Sequence, residues 1–387
     1  MAAIAGTKSS LTWAVQLSTI ALVLLWVFPT LGLLVSSFRT VDQINSSGWW
    51  ASLTAAEQNV VFRSADPGEN RVAEGADGAT FVVSGNVFGE EASDTTISVW
   101  GTSSRAIDTY QAGETADLGD GETITLQANG DYEWRGNDEQ LSGRGQRMFA
   151  TITAPPDFTL DNYEQVLLSG DSTDGMTKAF FNTLTVTIPA TIIPIVVAAF
   201  AAYALAWMDF PGRALLIAMV VALLVVPLQL ALIPLLRLHL GIGIGKGYLG
   251  VWLAHTGFGL PLAIYLLRNY MVGLPKDIIE NAKVDGATDF QIFTKIILPL
   301  SFPALASFAI FQFLWTWNDL LVAKVFLIDA TGETTVMTNQ IVELLGTRGG
   351  NWEILATAAF VSIAVPLVVF FAMQKYLVRG LLAGSVK

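Results

Sequence analysis

Long apolar runs alternate with polar stretches along the chain, and the apolar runs predict its plan. Six windows contain no Asp, Glu, Lys or Arg, and each reaches the length of about 20 residues that a helix needs to cross a membrane. We therefore predict six transmembrane helices, in the windows 9–38, 179–208, 214–236, 247–267, 296–318 and 354–374. A cleaved signal peptide is the alternative for the first window, but its apolar run is too long and no small-residue cleavage site follows it.

Between residues 41 and 154 the pattern changes to short runs in which apolar and polar residues alternate, as is typical of strands. Turn signals such as the one at 128–131 separate the runs, and no proline falls between Pro67 and Pro155. The pattern predicts a small β domain, a sandwich or a partly open barrel, with strands at 79–88, 95–100, 122–127 and 147–153.

The polar stretch between the fourth and fifth windows predicts two short helices. The first opens with Pro275 in its first turn, where a missing N–H costs nothing. Ile279, Ala282 and Gly286 recur at i, i+3 and i+7, so they form one nearly flat face of small or apolar residues. Gly286 ends this helix.

The second helix of this stretch begins after Thr288. Thr288 and Gln291 have the spacing of a capping box, and Asp289 in the first turn is favoured by the helix dipole. Pro299 interrupts the hydrogen-bond ladder and marks the return to the membrane.

Composition agrees with a membrane protein. Of the 387 residues 52% are hydrophobic and 14% are charged, whereas a soluble globular protein has about 25% charged residues. The net charge of −12 belongs to residues 39–178, which hold 23 acidic and 8 basic residues. This acidic excess argues against a nucleic-acid partner. The chain has no cysteine, so nothing in it requires an oxidising compartment.

The basic residues of the short loops predict the direction of insertion, because such residues accumulate on the cytoplasmic side. A cytoplasmic N-terminus places more of them inside, namely Lys8, Arg213, Arg268, Lys276, Lys283, Lys295, Lys375, Arg379 and Lys387. The outer loops then hold Arg237, Lys246, Lys324 and Arg348. The predicted fold class is an all-α integral membrane bundle of six transmembrane helices, with both termini cytoplasmic and an inserted extracytoplasmic small β domain. The domains are 1–40, 41–154 and 155–387.

The loop between the fourth and fifth windows resembles a motif of the membrane-spanning subunits of bacterial binding-protein-dependent ABC importers. The motif, E-A-A-x3-G-x9-I-x-L-P, is matched by Glu280, Ala282, Gly286, Ile296, Leu298 and Pro299, while Asn281 replaces its middle Ala. The resemblance implies that a coupling loop at 273–298, which also contains Asp285, docks into a cleft of a separate ATPase subunit. There the small residues would permit close approach and an acidic residue would pair with a base. The alternative is an amphipathic loop that packs only against its own bundle.

In overall plan the chain is similar to the maltose-type carbohydrate importers, and closest to the α-glucoside permeases with a large first external insertion. This implies a permease in the bacterial cell inner membrane that forms half of the pathway for an α-glucoside or similar di- or oligosaccharide. The implied partners are the lipid bilayer, a second permease subunit, two ATPase subunits that use ATP and Mg, and an extracytoplasmic solute-binding protein. No cofactor or metal is expected in this chain. Two alternatives stay open: a permease for a polyol or glycerol phosphate, and a membrane-anchored sensor with a β ectodomain.

Three further groups of residues are candidates for function. At the end of the fifth window, aromatic and polar side chains offer stacking and hydrogen bonds to a sugar: Gln312, Trp315, Trp317, Asn318 and Asp319. The alternative there is an aromatic belt with a structural polar cap.

By resemblance, the last external loop reaches into the binding protein through Gly346, Thr347, Arg348, Gly349 and Gly350, unless it is a plain surface loop. By resemblance too, the C-terminal tail, 375–387, enters the interface between the ATPase subunits through Arg379, Gly380, Leu381, Gly384 and Lys387. The alternative is a frayed basic end.

The chain lacks an ATP-binding motif of the P-loop type. The nearest approach is GIGIGKG at 241–247, but it lacks the required spacing, and Gly247 takes the place of the Ser or Thr hydroxyl. We therefore expect no enzymatic activity in this chain. For the β insertion two roles remain open, shaping the docking surface for a binding protein and bracing the outer face.

Overall fold

The computed structural model describes residues 10–74, 80–89, 94–168, 175–328, 331–347 and 351–382. The chain divides into two compact units, Met1–Asn162 and Tyr163–Lys387.

The first unit contains a long apolar helix followed by strands. Its helices are α1 (Ser10–Ser36), α2 (Val41–Ser46) and α3 (Pro67–Asn70). Its strands are β1 (Ala56–Arg63), β2 (Arg71–Glu74), β3 (Thr80–Asn86), β4 (Thr96–Gly101), β5 (Tyr110–Gln111), β6 (Thr115–Gly119), β7 (Glu122–Leu126), β8 (Asp131–Gly136) and β9 (Arg147–Ala154). The four strands expected from the sequence coincide with β3, β4, β7 and β9. The strands that the pattern missed include β6 and β8, in which charged outward residues leave only two or three apolar positions to show the alternation.

The strands form two antiparallel sheets that share one core. The sheet orders are β1-β9-β4-β5 and β2-β3-β8-β7-β6. Buried side chains from both sheets belong to one cluster, including Trp100 and Met148 from the first sheet and Val83, Ile124 and Trp134 from the second. Two sheets that bury one core between their inner faces have the packing of a β-sandwich.

The chain enters and leaves this β region through hydrogen-bonded neighbouring segments. The amide of Thr159 donates to the Phe38 carbonyl at 2.8 Å. The buried side chain of Asn162 donates through Nδ2 to the carbonyls of Ser37 at 3.0 Å and Arg39 at 2.9 Å. The Arg39 guanidinium in turn donates to the Ser47 carbonyl at 3.0 Å. The two ends of the segment between them are therefore held side by side.

The second unit is helical. Helix α4 (Asp161–Leu167) crosses the division between the units. The others are α5 (Met176–Trp207), α6 (Arg213–Leu223), α7 (Leu228–Gly241), α8 (Tyr248–Val272), α9 (Lys276–Val284), α10 (Asp289–Ile292), α11 (Leu298–Leu300), α12 (Phe302–Trp317), α13 (Leu321–Phe326), α14 (Met337–Thr347) and α15 (Trp352–Leu382). Between α10 and α11 lies one π-helical turn, Phe293–Ile297.

Four helices in the described residues are long and apolar enough to cross a membrane by themselves: Leu11–Ser36, Met176–Trp207, Tyr248–Val272 and Trp352–Tyr376. The third and fifth predicted windows instead correspond to bent pairs. Helices α6 and α7 meet at 112°, and the segment Asp289–Leu300 meets α12 at 70°. Pro227 directly precedes α7 and disfavours a helical conformation at Val226, which accounts for the first break. Ser301, between Pro299 and Pro303, marks the second.

Prolines inside the long helices leave backbone carbonyls without their usual helical partners, and side chains from other helices bind three of them. Pro189 frees the Thr185 carbonyl, to which Trp252 Nε1 of α8 donates at 2.9 Å. Pro194 frees the Ala190 carbonyl, to which Gln312 Nε2 of α12 donates at 3.1 Å. Pro366 of α15 frees the Ser362 carbonyl, which accepts from Trp317 Nε1 at 2.9 Å. These three hydrogen bonds join α5 to α8, α5 to α12, and α12 to α15.

We predict that Asn162→Ala destabilises the first unit by about 2 kcal/mol, because two buried carbonyls lose their donor. The measurement is thermal unfolding of the purified chain, read by limited proteolysis within residues 41–154. Asn59→Ala is the matched control, since the exposed Asn59 side chain makes one surface hydrogen bond to Thr151 at 2.8 Å. Equal melting of the two variants would contradict the assigned role of Asn162.

Candidate functional site: the loop at 273–300 and the interior of the bundle

Helix α9 ends in a hydrogen-bonded C-cap that depends on glycine. The helix begins at Lys276, so Pro275 lies just before it rather than in its first turn as predicted. At its end the amide of Ala287 donates to the Ala282 carbonyl, and the amide of Gly286 to the Lys283 carbonyl, both at 3.0 Å. This is a Schellman motif, and Gly286 has the positive φ of 81° that it requires. The prediction that Gly286 ends the helix is confirmed.

The predicted capping box is present at the start of α10. The Gln291 amide donates to Thr288 Oγ1, and the Thr288 amide donates to Gln291 Oε1 at 2.9 Å. The chain then widens into the π turn, which ends just before α11 and Pro299. Widened turns of this kind accommodate a proline by changing the pattern of hydrogen bonds in front of it.

The structure corrects the prediction of which side of α9 is free. Ile279 is only 3% exposed and belongs to a buried cluster, and Ala282 packs against the same cluster. The apolar face therefore covers the chain's own bundle, because burying it there removes it from water. Gly286 is exposed, and an added Cβ would meet nothing within 4 Å, so only its backbone conformation requires glycine within this chain.

Aromatic packing and one hydrogen bond fix the loop to α5. The Phe293 ring lies 4.6 Å from the ring of Phe200 and 5.3 Å from that of Tyr203. The Tyr203 hydroxyl donates to Asp289 Oδ1 at 3.2 Å. Ile292 and Ile297 are buried in the same cluster as Leu267 and Met271 of α8. The loop is thus held to both α5 and α8, and its movement is mechanically linked to theirs.

The exposed side of the loop presents charged and apolar groups together. Glu280 pairs with Lys276 one turn earlier at 2.7 Å, and this hydrogen bond raises the pKa of the Lys276 ammonium. Two large apolar side chains are exposed: Val284 is 86% exposed and Phe290 is 65% exposed. Both side chains are available for contact with another protein, because neither is covered by the chain's own bundle.

Val284 and Phe290 did not emerge from the sequence pattern. The signal for Val284 was present, because Val284 is out of phase with Ile279 on a helix of 3.6 residues per turn, so the two cannot share a face. Among the other motif residues, Asn281 and Asp285 are exposed, and so is Pro299. Ile296 and Leu298 are half-buried.

Two of the five candidate sugar contacts lie in the interior of the bundle. Gln312 is buried and donates to the Ala190 carbonyl, while a Cβ added at Gly259 would meet Gln312 Oε1 at 2.7 Å. Trp317 is 1% exposed, and its ring packs against Phe313 and Phe180. Neither side chain faces an open surface in this conformation. Each instead binds a carbonyl that a proline has freed.

The remaining candidates cap helices or face outward. Asn318 follows α12 and donates through Nδ2 to the Leu314 carbonyl at 2.8 Å. Asp319 accepts from the amides of Val322 at 3.3 Å and Ala323 at 3.0 Å, so it caps the start of α13. These contacts are those of a structural polar cap. Trp315 is 47% exposed and is the one ring of the group with an open face.

One buried pair of titratable side chains was not anticipated. His255 Nε2 of α8 lies 3.7 Å from Asp319 Oδ2, and both side chains are nearly inaccessible. The two residues connect α8 to the junction of α12 and α13. In the described part of the chain no group of three or more His, Cys, Asp or Glu side chains is placed to bind a metal.

The other predicted contact residues are only partly described. Gly346 and Thr347 end α14, whereas Arg348, Gly349 and Gly350 lie outside the described residues. Arg379, Gly380 and Leu381 belong to α15, so the backbone there is helical, and the irregular backbone expected at the first glycine of the tail is absent from these positions. Gly384 and Lys387 lie outside the described residues.

A family model matches the second half of the chain. Residues 180–382 match the family described as the binding-protein-dependent transport system inner membrane component. The matched region runs from α5 to the end of α15 and includes the loop, while the β strands precede it.

Three known proteins are similar to the chain. The α-glucoside transport system permease protein AglG of Rhizobium meliloti is 60% identical over 385 residues, which cover 98% of each chain. The osmoprotective compounds uptake permease protein GgtD of Synechocystis is 60% identical over 230 residues, 59% of this chain and 76% of that protein. The trehalose transport system permease protein SugB of Mycobacterium tuberculosis is 34% identical over 238 residues, 60% of this chain and 84% of that protein.

We predict that Trp317→Phe lowers thermal stability and leaves the KM for substrate unchanged. The variant keeps an aromatic ring and loses the donor to the Ser362 carbonyl, at a cost of about 1 kcal/mol in a membrane helix bundle. The measurements are melting of the chain in detergent and uptake kinetics after reconstitution. Trp315→Phe is the control and should change stability little. A large rise in KM for Trp317→Phe with unchanged melting would show that the Trp317 ring contacts the sugar.

Two substitutions at Gly286 separate backbone conformation from side-chain size. Ala is small but strained at a φ of 81°, at a cost of about 1 kcal/mol, whereas Asn is larger and accepts this conformation. We expect Gly286→Asn to support more uptake than Gly286→Ala if the Schellman motif is the requirement. The reverse order, measured as substrate uptake at equal expression, would show that a partner needs close approach at this position.

Proposed function

Because this chain belongs to the family of binding-protein-dependent transport system inner membrane components, we propose that it forms half of the translocation pathway of an ATP-driven sugar importer. The substrate class that we propose is an α-glucoside or a similar di- or oligosaccharide. The similarity to an α-glucoside permease over nearly the whole length of both chains supports this choice, since it includes residues 41–154 as well as the helices.

The observation that carries the coupling role is the two-sided construction of the loop at 273–300. Ile279 and Phe293 fix its inner side to the bundle, while Val284 and Phe290 leave an apolar outer side exposed. A loop that only packed against its own bundle would have no need of the outer side. We propose that this outer side, with Glu280, Asn281, Asp285 and Gly286, docks on a separate ATPase subunit and passes its movement to α5 and α8.

The proposed topology has six spans, with both termini and the loop in the cytoplasm of a bacterial cell and residues 41–154 outside as a β domain. The bent pairs α6–α7 and Asp289–Trp317 then each count as one crossing. The distribution of Lys and Arg supports this orientation. Arg213 donates to the Leu205 and Ala206 carbonyls at 3.0 Å and so caps the C-terminal end of α5, where the helix dipole favours a cation.

The proposed assembly contains this chain, a second permease subunit, two ATPase subunits and an extracytoplasmic solute-binding protein. ATP and Mg would be used by the ATPase subunits. We retain the proposal that the tail residues Arg379, Gly380, Leu381, Gly384 and Lys387 contact the ATPase subunits, and that Gly346 to Gly350 contact the binding protein. Gln312 and Trp317 are proposed to act on the pathway only indirectly, through the helices that they join.

A second candidate substrate class is an osmoprotective solute such as a polyol. The observation in its favour is that the permease for osmoprotective compounds is 60% identical over the 230 residues that align, and the α-glucoside permease is 60% identical over 385 residues. Reconstitution of the complex in proteoliposomes with its binding protein tests which of the two substrate classes is transported. Uptake of labelled maltose, trehalose and glycerol, together with stimulated ATPase activity, distinguishes the two classes.

We predict that Phe290→Glu reduces sugar-stimulated ATPase activity by at least about tenfold, because docking would bury the ring and the charge opposes this. Phe290→Leu, which keeps an apolar side chain, should retain most of the activity. Both variants should insert and melt like the parent, because the ring is exposed. The measurements are ATPase activity and the amount of ATPase subunit that copurifies. Full activity and copurification of Phe290→Glu would refute docking through this surface.

A further inference from the structure

The described residues of the β region at 41–154 include six arginines, two of which have acidic partners. Ion pairs within 4.0 Å join Arg71 to Asp138, and Arg135 to Glu74 and Glu133. Among the described residues no such pair involves the remaining four, Arg63, Arg105, Arg144 and Arg147.

Two of these four arginines, Arg63 and Arg147, line one shallow cleft. The cleft has a volume of about 410 Å³ and is lined by Arg63, Arg147, Ser103, Ser104, Gln146 and Phe149, among others. Arg105 and Arg144 are the sequence neighbours of its lining residues Ser104 and Gly145. The cleft is open to solvent, and its lining offers cations, hydroxyls, an amide and an aromatic ring.

Backbone packs closely against backbone at two places in the walls of this cleft. A Cβ at Gly101 would lie 2.0 Å from the Ala106 carbonyl oxygen, and one at Gly145 would lie 2.0 Å from that of Ser64. The turns that contain Ser103 and Gln146 thus pack directly against neighbouring backbone. The Gly145 amide also donates to Asp66 Oδ1, and the Gln146 amide to Ser64 Oγ, both at 2.9 Å. A wall whose backbone is already packed in this way loses little conformational entropy when a ligand binds.

The two lining arginines are also held side by side. Arg63 and Arg147 are direct partners in the antiparallel pairing of β1 with β9. Like charges in such positions destabilise a sheet, and a bound anion would relieve the repulsion. Arg63 is oriented as well, since its Nη1 donates to the Gly145 carbonyl at 2.8 Å. The surrounding acidic region repels anions at long range, so binding here would have to come from contacts within the cleft.

We propose that this cleft binds a sugar acid, a role separate from the translocation pathway. Arg63 and Arg147 would bind its carboxylate, and Ser103, Ser104 and Gln146 its hydroxyls. Phe149 would contact the apolar face of the sugar ring. Carboxylates form the strongest hydrogen bonds with paired guanidinium groups, and a neutral sugar would lose them.

The test measures binding of D-glucuronate, D-glucose and inorganic sulfate to the full chain in lipid nanodiscs, by saturation-transfer NMR and calorimetry. The cleft variant is Arg63→Gln with Arg147→Gln. The matched control is Arg71→Gln with Arg135→Gln, which removes the same charge from ion-paired positions of the same region. We expect glucuronate to bind more tightly than glucose or sulfate, and its Kd to rise at least about tenfold in the cleft variant and less than about twofold in the control.

A third variant, Arg63→Lys with Arg147→Lys, keeps the charge and loses the planar fork, so we expect an intermediate Kd. Equal binding of sulfate and glucuronate would overturn the proposal, as would no binding of glucuronate or an unchanged Kd in the cleft variant. Unchanged melting of each variant shows that its fold is retained. Uptake of a neutral α-glucoside should be normal in the cleft variant, so the result is independent of the proposed transport function. Lost uptake without glucuronate binding would mean that the arginines serve protein docking, and would also overturn the proposal.

Discussion

The helical unit depends on satisfying backbone carbonyls that prolines have freed inside long apolar helices. Within the hydrocarbon core of a bilayer bulk water is absent, and a neighbouring helix is one source of a donor for such a carbonyl. The structure meets this need with Trp252, Gln312 and Trp317, which donate to the carbonyls of Thr185, Ala190 and Ser362. Each hydrogen bond satisfies a freed carbonyl in one helix and joins that helix to another.

These three hydrogen bonds connect four helices to one another. Helix α5 is bound to α8 through Trp252 and to α12 through Gln312, and α12 is bound to α15 through Trp317. The loop at 273–300 rests on α5 through Phe293 and Tyr203. A displacement of the loop is therefore transmitted to several connected helices rather than to one flexible segment. This connection gives the proposed coupling a physical route.

In the first unit, the chain enters and leaves the β region at neighbouring points. The hydrogen bonds of Asn162 and Thr159 place the start and end of the segment next to each other. A long segment whose ends already meet can be accommodated in a loop without separating the elements on either side. Of the six arginines in this region, Arg71 and Arg135 have acidic partners and Arg63 donates to a carbonyl.

The sequence by itself determined what depends on neighbours along the chain. The apolar windows, the Thr288 capping box and the helix end at Gly286 follow from local hydrogen bonding and backbone conformation, and the alternation in β3, β4, β7 and β9 follows from the period of a strand. The tertiary structure decided what depends on a partner far along the chain. It buried Ile279 against the bundle and left Phe290 exposed, and it placed Gln312 and Trp317 beside carbonyls that lie 122 and 45 residues away along the chain. A polar or aromatic side chain in an apolar helix has the same local pattern whether it binds a ligand or a backbone group, and only the packing of the helices distinguishes the two.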